Sequence, residues 1–173
     1  MTTPLPTQPP CWPNTKDWLD GKTELEEGLP RSMKAEWDAD ILDLDDRNKH
    51  DRIIDQDDNF LVRFRVQLQG KLWKAMTGTW CFDLGFAPIG RATTAGSFNL
   101  SDVISNSADL CVTDWTGCTT QCILVEVNVP AMVIPAREPS TVYEVAATFQ
   151  LSACGQLVLS GFEALEEFQF SRF

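Results

Sequence analysis

The chain has 173 residues, of which 43% are hydrophobic and 23% charged, the proportions of a globular protein of about one domain. Its 25 acidic and 14 basic side chains give a net charge of −11, which argues against nucleic acid and anionic lipid as partners, since both carry negative charge. No stretch is long and apolar enough for a transmembrane helix, and no secretory signal is recognised at the start. We therefore expect no membrane insertion, and a protein that is cytoplasmic or released as part of a particle.

Residues 1–60 are predicted to form an acidic N-terminal arm, and residues 61–173 a folded body. Six of the ten prolines lie in the arm, five of them before Asn14. Because proline fixes φ and lacks a backbone donor, the first 14 residues are expected to be extended. Tryptophan is rare in solvated disordered segments, so Trp12, Trp18 and Trp37 are interpreted as side chains that dock on a protein surface.

A short helix is predicted within the arm, with Ser32 as its N-cap. Four apolar residues then follow at spacings of four, four and three, which would form one stripe along the helix. The predicted partner-docking residues are the two early tryptophans and this stripe: Trp12, Trp18, Met33, Trp37, Ile41 and Leu44.

The body is predicted to be all-β, because apolar and polar residues alternate in successive segments that glycine and proline separate. Strands are predicted at 61–69, 79–86, 110–115, 122–130, 142–151, 157–162 and 166–170. About seven such strands are typical of an antiparallel two-sheet sandwich. A small barrel is the alternative, since alternation does not distinguish a closed sheet from two stacked ones.

Four segments of the body carry glycines and core aromatics in a pattern that resembles immunoglobulin-like sandwich proteins. They are GKLW at 70–73, GTWCF at 78–82, PIG at 88–90 and FNLSD at 98–102. Some proteins of that kind are encoded near bacterial phage-tail-like contractile injection particles. The resemblance covers about residues 61–170 and leaves the arm unmatched. It implies an immunoglobulin-like sandwich that serves as an accessory or structural subunit of a large particle.

The six cysteines invite both metal and disulfide interpretations. No Cys-x-x-Cys pair occurs, so neither a metal site nor a cofactor is predicted. If Thr116 and Gly117 form a two-residue hairpin turn, Cys111 lies opposite Cys122, within reach of a disulfide. A cytosolic chain would keep its thiols reduced, so free cysteines are expected, with Cys111–Cys122 as the candidate disulfide.

Other candidate sites give no catalytic constellation. The single histidine, His50, lies in a polar stretch, and no P-loop, nucleophile elbow or dinucleotide motif occurs. Aspartates are dense between residues 38 and 58, but the glycine and the final glutamate of an EF-hand are missing, so we interpret them as a solvated or partner-facing acidic surface. Trp73 lies between Lys71 and Lys74 in an expected loop and is the candidate ligand-stacking residue.

The sequence therefore predicts a non-enzymatic structural or adaptor subunit whose arm docks on other protein subunits, either copies of itself or different chains. A phage-tail-like contractile particle is the assembly that the resemblance implies. An extended arm can add to the exposed edge of a sheet. The alternative is a β-sandwich module that binds carbohydrate or another surface ligand.

Overall fold

The computed structural model describes residues 23–24, 33–43, 52–70, 73–90, 96–118, 121–136 and 140–171. These residues form ten β-strands, one four-residue helix and two short 3₁₀ turns, so the all-β prediction is confirmed. The elements are β1 (Thr23–Glu24), β2 (Met33–Asp43), β3 (Ile53–Asp55), β4 (Phe60–Gly70), β5 (Thr77–Pro88), β6 (Phe98–Asn99), α1 (Leu100–Val103), β7 (Cys111–Thr116), β8 (Cys122–Val129), β9 (Ser140–Ala153) and β10 (Gln156–Ser171).

The strands lie in two sheets. The four-stranded sheet has the order β1-β2-β4-β8, and the six-stranded sheet has the order β3-β10-β9-β5-β6, with β7 also paired to β5. Neighbouring strands are antiparallel except β3 and β10, which are parallel. The predicted strands of the body are thus present, but those predicted at 157–162 and 166–170 are one continuous strand, β10.

The core fills the space between the two sheets and follows from the alternation along each strand. Phe64 of β4 is fully buried and stacks on Phe82 of β5, with ring centres 5.1 Å apart. Trp37 of β2 meets Phe149 of β9 edge to face at 4.8 Å. Trp80, which the alternation places inward, is 0% exposed. Aromatic contacts across the gap therefore join the sheets at several points.

The helix predicted within the arm is wrong, because residues 33–43 form the strand β2. This strand pairs along its whole length with β4, from Met33 opposite Gly70 to Asp43 opposite Phe60. Residues spaced four apart satisfy the two-residue period of a strand as well as the turn of a helix. The chain adopts the strand here, since this conformation places Trp37, Ala39 and Ile41 on one face, buried in the core between the sheets.

The predicted docking residues of the arm have different outcomes. Trp37 and Ile41 are 0% and 1% exposed, so they are core side chains of their own chain and not docking residues. Met33 begins β2, while Trp12, Trp18 and Leu44 lie outside the described residues. Because β2 and β3 are strands of the two sheets, residues 33–43 and 53–55 belong to the same folded unit as the predicted body.

The predicted pairing of Cys111 with Cys122 is also wrong. β7 pairs with β5 in one sheet and β8 with β4 in the other, so the Thr116–Gly117 turn does not close a hairpin. Cys111 lies opposite Cys81 and is bonded to it, with Cα atoms 4.1 Å apart. Cys122 takes part in a disulfide as well, so the expectation of free thiols fails at these three positions. The other two cysteines among the described residues, Cys118 and Cys154, are free and exposed.

Candidate functional site

Trp73, the predicted ligand-stacking residue, lies in a 3₁₀ turn before β5 and is half-buried. It packs against the core, and the Lys74 ammonium lies 5.7 Å from the centre of its ring. A side chain at Gly117 would come within 1.9 Å of the Trp73 carbonyl oxygen, so the turn after β7 fits against it only because residue 117 is glycine. The ring is engaged within its own chain, which leaves less of it for a ligand.

A groove of about 960 Å³ crosses the six-stranded sheet on the face opposite the core. Three small residues form its floor: Ala164 of β10 lies opposite Ala146 of β9, which lies opposite Gly85 of β5. They alternate along their strands with core residues and therefore face outward. Because none of them extends beyond Cβ, the surface is depressed along this row. We call this depression the outer groove.

The sides of the outer groove come from β10, β3 and β6, which α1 follows directly. Phe162 and Ile53, 64% and 59% exposed, supply apolar surface. Asn99 of β6 lies opposite Gly85 and lines the other side. Asp83 holds α1 in place, since its carboxylate accepts hydrogen bonds from the Ser101 backbone N–H at 3.0 Å and from the Ser101 hydroxyl at 2.5 Å.

The charge of the outer groove is mainly acidic. Glu167 of β10 lies directly opposite Glu144 of β9, and both exposed side chains line the groove. Like charges placed directly opposite each other destabilise an antiparallel pair. Glu166 forms a salt bridge with Arg52. No such bridge joins Glu144 or Glu167 to a basic residue within the described ranges, so this pair is the unneutralised part of the groove.

One edge of β10 is open. β9 pairs with β10 along one side from Gln156 to Ser171. On the other side β3 pairs only with residues 169–171, and the Gln169 N–H donates to the Arg52 carbonyl oxygen at 2.7 Å. In the part of the chain that the structure describes, no strand pairs with residues 156–165 on this side. We call this stretch the free β10 edge; its backbone N–H and C=O groups are available to another strand.

The free β10 edge and the outer groove form a continuous surface. Leu157 and Val158 are 58% and 54% exposed near the start of the edge. Phe162 lies on the edge strand and lines the groove as well. Exposed apolar side chains that lie together beside an open strand edge are typical of an interaction site.

Glu163 faces the opposite way from Phe162. It lies opposite the buried Ala147, which places its half-buried side chain on the core side of the six-stranded sheet. Its Oε2 atom is buried and has no hydrogen-bond partner. Burial, together with the nearby charges of Asp38 and Asp40, raises the pKa of Glu163 from 4.5 to about 8. At neutral pH the group is therefore mostly protonated, and it does not line the outer groove.

The residues of this surface are not those that the sequence singles out. Gly85, Ala146 and Ala164 carry no reactive group and lie far apart in the chain, so no spacing marks them as neighbours. Phe162 offers a weak signal, since this aromatic residue lies directly between Gly161 and Glu163 in the sequence.

No family model, curated protein or solved structure matches this chain. Within the described ranges, no three metal-ligating side chains are grouped so that they could hold an ion. No helix in the same residues has the length and apolar character needed to cross a membrane. The function is therefore inferred from the geometry of the surface.

Proposed function

We propose that the protein is a non-enzymatic structural or adaptor subunit that attaches to a partner protein through the outer groove and the free β10 edge. The observation that carries the proposal is their continuity, because an open strand edge, exposed apolar side chains and a groove occur side by side. Stable interfaces bury about 800 Å² per partner around aromatic or aliphatic side chains. Phe162, 64% exposed at the junction of edge and groove, is the natural centre of such an interface.

The lining of the outer groove supports binding more than catalysis. Its residues include no histidine, cysteine or lysine, and its carboxylates lie on an open face of the sheet. Catalytic electrostatics depend on a site from which water is excluded. A recognition surface, in contrast, works when its polar rim stays in contact with water.

The proposal keeps the class of function that the sequence predicts but moves the docking surface. Trp37 and Ile41 support the core, and the side chains of β10 take over the docking role. An immunoglobulin-like arrangement of the sheets and a place in a larger particle, such as a phage-tail-like contractile particle, remain part of it. The Cys81–Cys111 disulfide is consistent with a particle that is released from the cytosol, since disulfides persist in oxidising surroundings.

Binding to defined probes tests the proposal. The purified protein is applied to an array of extended peptides and to a glycan array in one buffer. We expect peptide binding that Ala146→Phe abolishes, because a ring at this position fills the groove. Leu124→Ser, on the exposed outer side of β8, is the control and leaves binding unchanged. Absence of peptide binding, or binding that Ala146→Phe does not affect, contradicts the proposal.

Carbohydrate binding is a second candidate, and the outer groove is the observation that favours it. An exposed phenyl ring can stack on a sugar face, while the Asn99 amide and nearby carboxylates can bond its hydroxyl groups. A glycan signal that disappears in Phe162→Ala, without any peptide signal, would select this function over the first.

A further inference from the structure

We infer that the partner contributes an extended strand that pairs with the free β10 edge and carries an apolar residue and a lysine or arginine two positions apart. This inference rests on the proposed function and specifies the chemistry of the partner. It follows from three properties of β10 and its neighbours, which are the backbone, the outward side chains and the charge.

The backbone of β10 limits where a strand can pair. The register between β10 and β9 shifts between Leu157 and Leu159, and again between Ala164 and Glu167. Such bulges bend a strand and interrupt its hydrogen-bond ladder. Residues 159–164 are the regular stretch between them, and they lie on the free edge. A partner strand therefore pairs mainly with these residues and ends before Arg52 and β3.

The outward side chains of this stretch set the preferences of the partner. Ser160, Phe162 and Ala164 are exposed and alternate with the inward Leu159, Gly161 and Glu163. Side chains directly opposite each other on neighbouring strands are about 4.5–5.5 Å apart at Cβ. The partner residue beside Phe162 meets an exposed ring, which favours an apolar side chain. The partner residue beside Ala164, two positions away, lies at the margin of the outer groove.

The floor of the outer groove suits the long side chain of a lysine or arginine. Ala164 and the neighbouring Ala146 are small, so an unbranched methylene chain from a strand beside β10 can lie over Ala164 toward Ala146 without a clash. Such stems pack on apolar surface while the charged group remains in water. Glu144 and Glu167 border the same groove and repel each other. A cation placed between them relieves that repulsion.

Charge also decides between a different chain and a second copy of this one. The chain carries a net charge of −11, and the outer groove beside its free edge holds the unneutralised pair Glu144 and Glu167. A second copy would bring the same acidic groove and the same net charge. A basic segment is attracted over a distance instead, which raises its rate of association at low salt. The occupant that fits is a basic and apolar strand of another protein.

Synthetic peptides of about ten residues, the length of the free edge, test the inference. The reference peptide carries lysine and valine two positions apart in a threonine background, in both orders. A second peptide replaces lysine with glutamate, and a third is N-methylated at alternate residues, in each of the two frames, to remove backbone donors. Isothermal titration gives the affinities, and amide hydrogen exchange reports on residues 159–164.

We expect the lysine peptide to bind at least about tenfold more tightly than the glutamate peptide and to slow exchange at the β10 edge. At least one N-methylated frame should fail to bind. Glu144→Gln combined with Glu167→Gln should reduce the preference for lysine, whereas Asp58→Asn should not, because Asp58 is exposed and does not line the outer groove. Equal binding of the lysine, glutamate and N-methylated peptides, still abolished by Ala146→Phe, overturns the inference and leaves the proposed function standing. If none of these peptides and no arrayed peptide binds, both fail.

Discussion

Two adjacent residues of β10 show how a single position acquires its role. Phe162 and Glu163 are neighbours in the chain, but the period of a strand turns one to solvent and the other inward. A carboxyl group that faces inward near an open edge opposes non-specific strand pairing. A strand that covers the carboxyl group must desolvate it further, which costs free energy. In the proposed interface, Phe162 therefore favours a partner strand while Glu163 restricts which strands can pair.

Glu163→Gln is expected to stabilise the fold more at pH 9 than at pH 5. In the unfolded chain this carboxyl has its ordinary pKa of 4.5, and folding raises the pKa to about 8. The folded protein therefore binds the proton more tightly, so the free energy of unfolding falls as the pH rises from about 4.5 to about 8. Glutamine does not titrate, so the variant escapes this loss. Thermal unfolding of both proteins across the pH range measures the difference.

Asp58→Asn is the matched control for Glu163→Gln, because it also removes one carboxylate, but from an exposed position in the turn before β4. It should give no comparable gain at high pH. If the free energy of unfolding changes with pH in the same way for Glu163→Gln and the wild type from pH 5 to pH 9, burial of this carboxyl does not govern the pH dependence of stability.

At the level of elements, the alternation of residues predicts strands well but not their partners. β4, β5, β8 and β9 are recognisable because one face of each is buried against the opposite sheet. Alternation says which face is buried and nothing about which strand lies alongside. Cys111 lies opposite Cys81 only because the chain between them returns to β5, and a local hairpin to Cys122 was the simpler prediction.

The same limit explains the error at β2 and the absence of the outer groove from the predictions. In β2 the small Ala39 completes the alternation between Trp37 and Ile41, but alanine is a weak marker of burial and is also the best helix former. The floor of the groove depends on the registers of β5, β9 and β10. Registers are set by long-range packing, so the sequence supplies the residues of the floor without showing that they meet.

Replacing both Cys81 and Cys111 with alanine is expected to lower the free energy of unfolding by about 3.5 kcal/mol. The disulfide joins β5 to β7 across a separation of 30 residues, and a crosslink of this length restricts the unfolded chain by about that amount. The midpoint of urea unfolding measures the loss. Cys118→Ser and Cys154→Ser, at the free and exposed cysteines, are controls that should change little. If an alkylating reagent modifies Cys81 and Cys111 of the wild-type protein without reductant, the disulfide between them is absent.

For the whole molecule, the two sheets include β2 and β3, two strands that precede residue 61. β2 contributes eleven paired residues to β4, and its Trp37 packs against Phe149 of the other sheet. β3 extends the six-stranded sheet next to β10 and closes one end of the free edge. The surface proposed to bind a partner therefore depends on segments that the composition assigned to the arm.

A chain that begins at Asp57 is expected not to fold cooperatively. It lacks β2 and β3, so β4 loses a strand along its whole length and the core loses Trp37. Near-UV circular dichroism and thermal unfolding distinguish a packed core from a collapsed chain without fixed packing. Trp37→Ala in the full chain is the milder form of the same test and should cost about 3–5 kcal/mol. Trp73→Ala, at a half-buried turn, is the control with the smaller loss. A shortened chain that unfolds at the wild-type temperature would mean that the body is complete without β2, and the docking role of the early segment would have to be considered again.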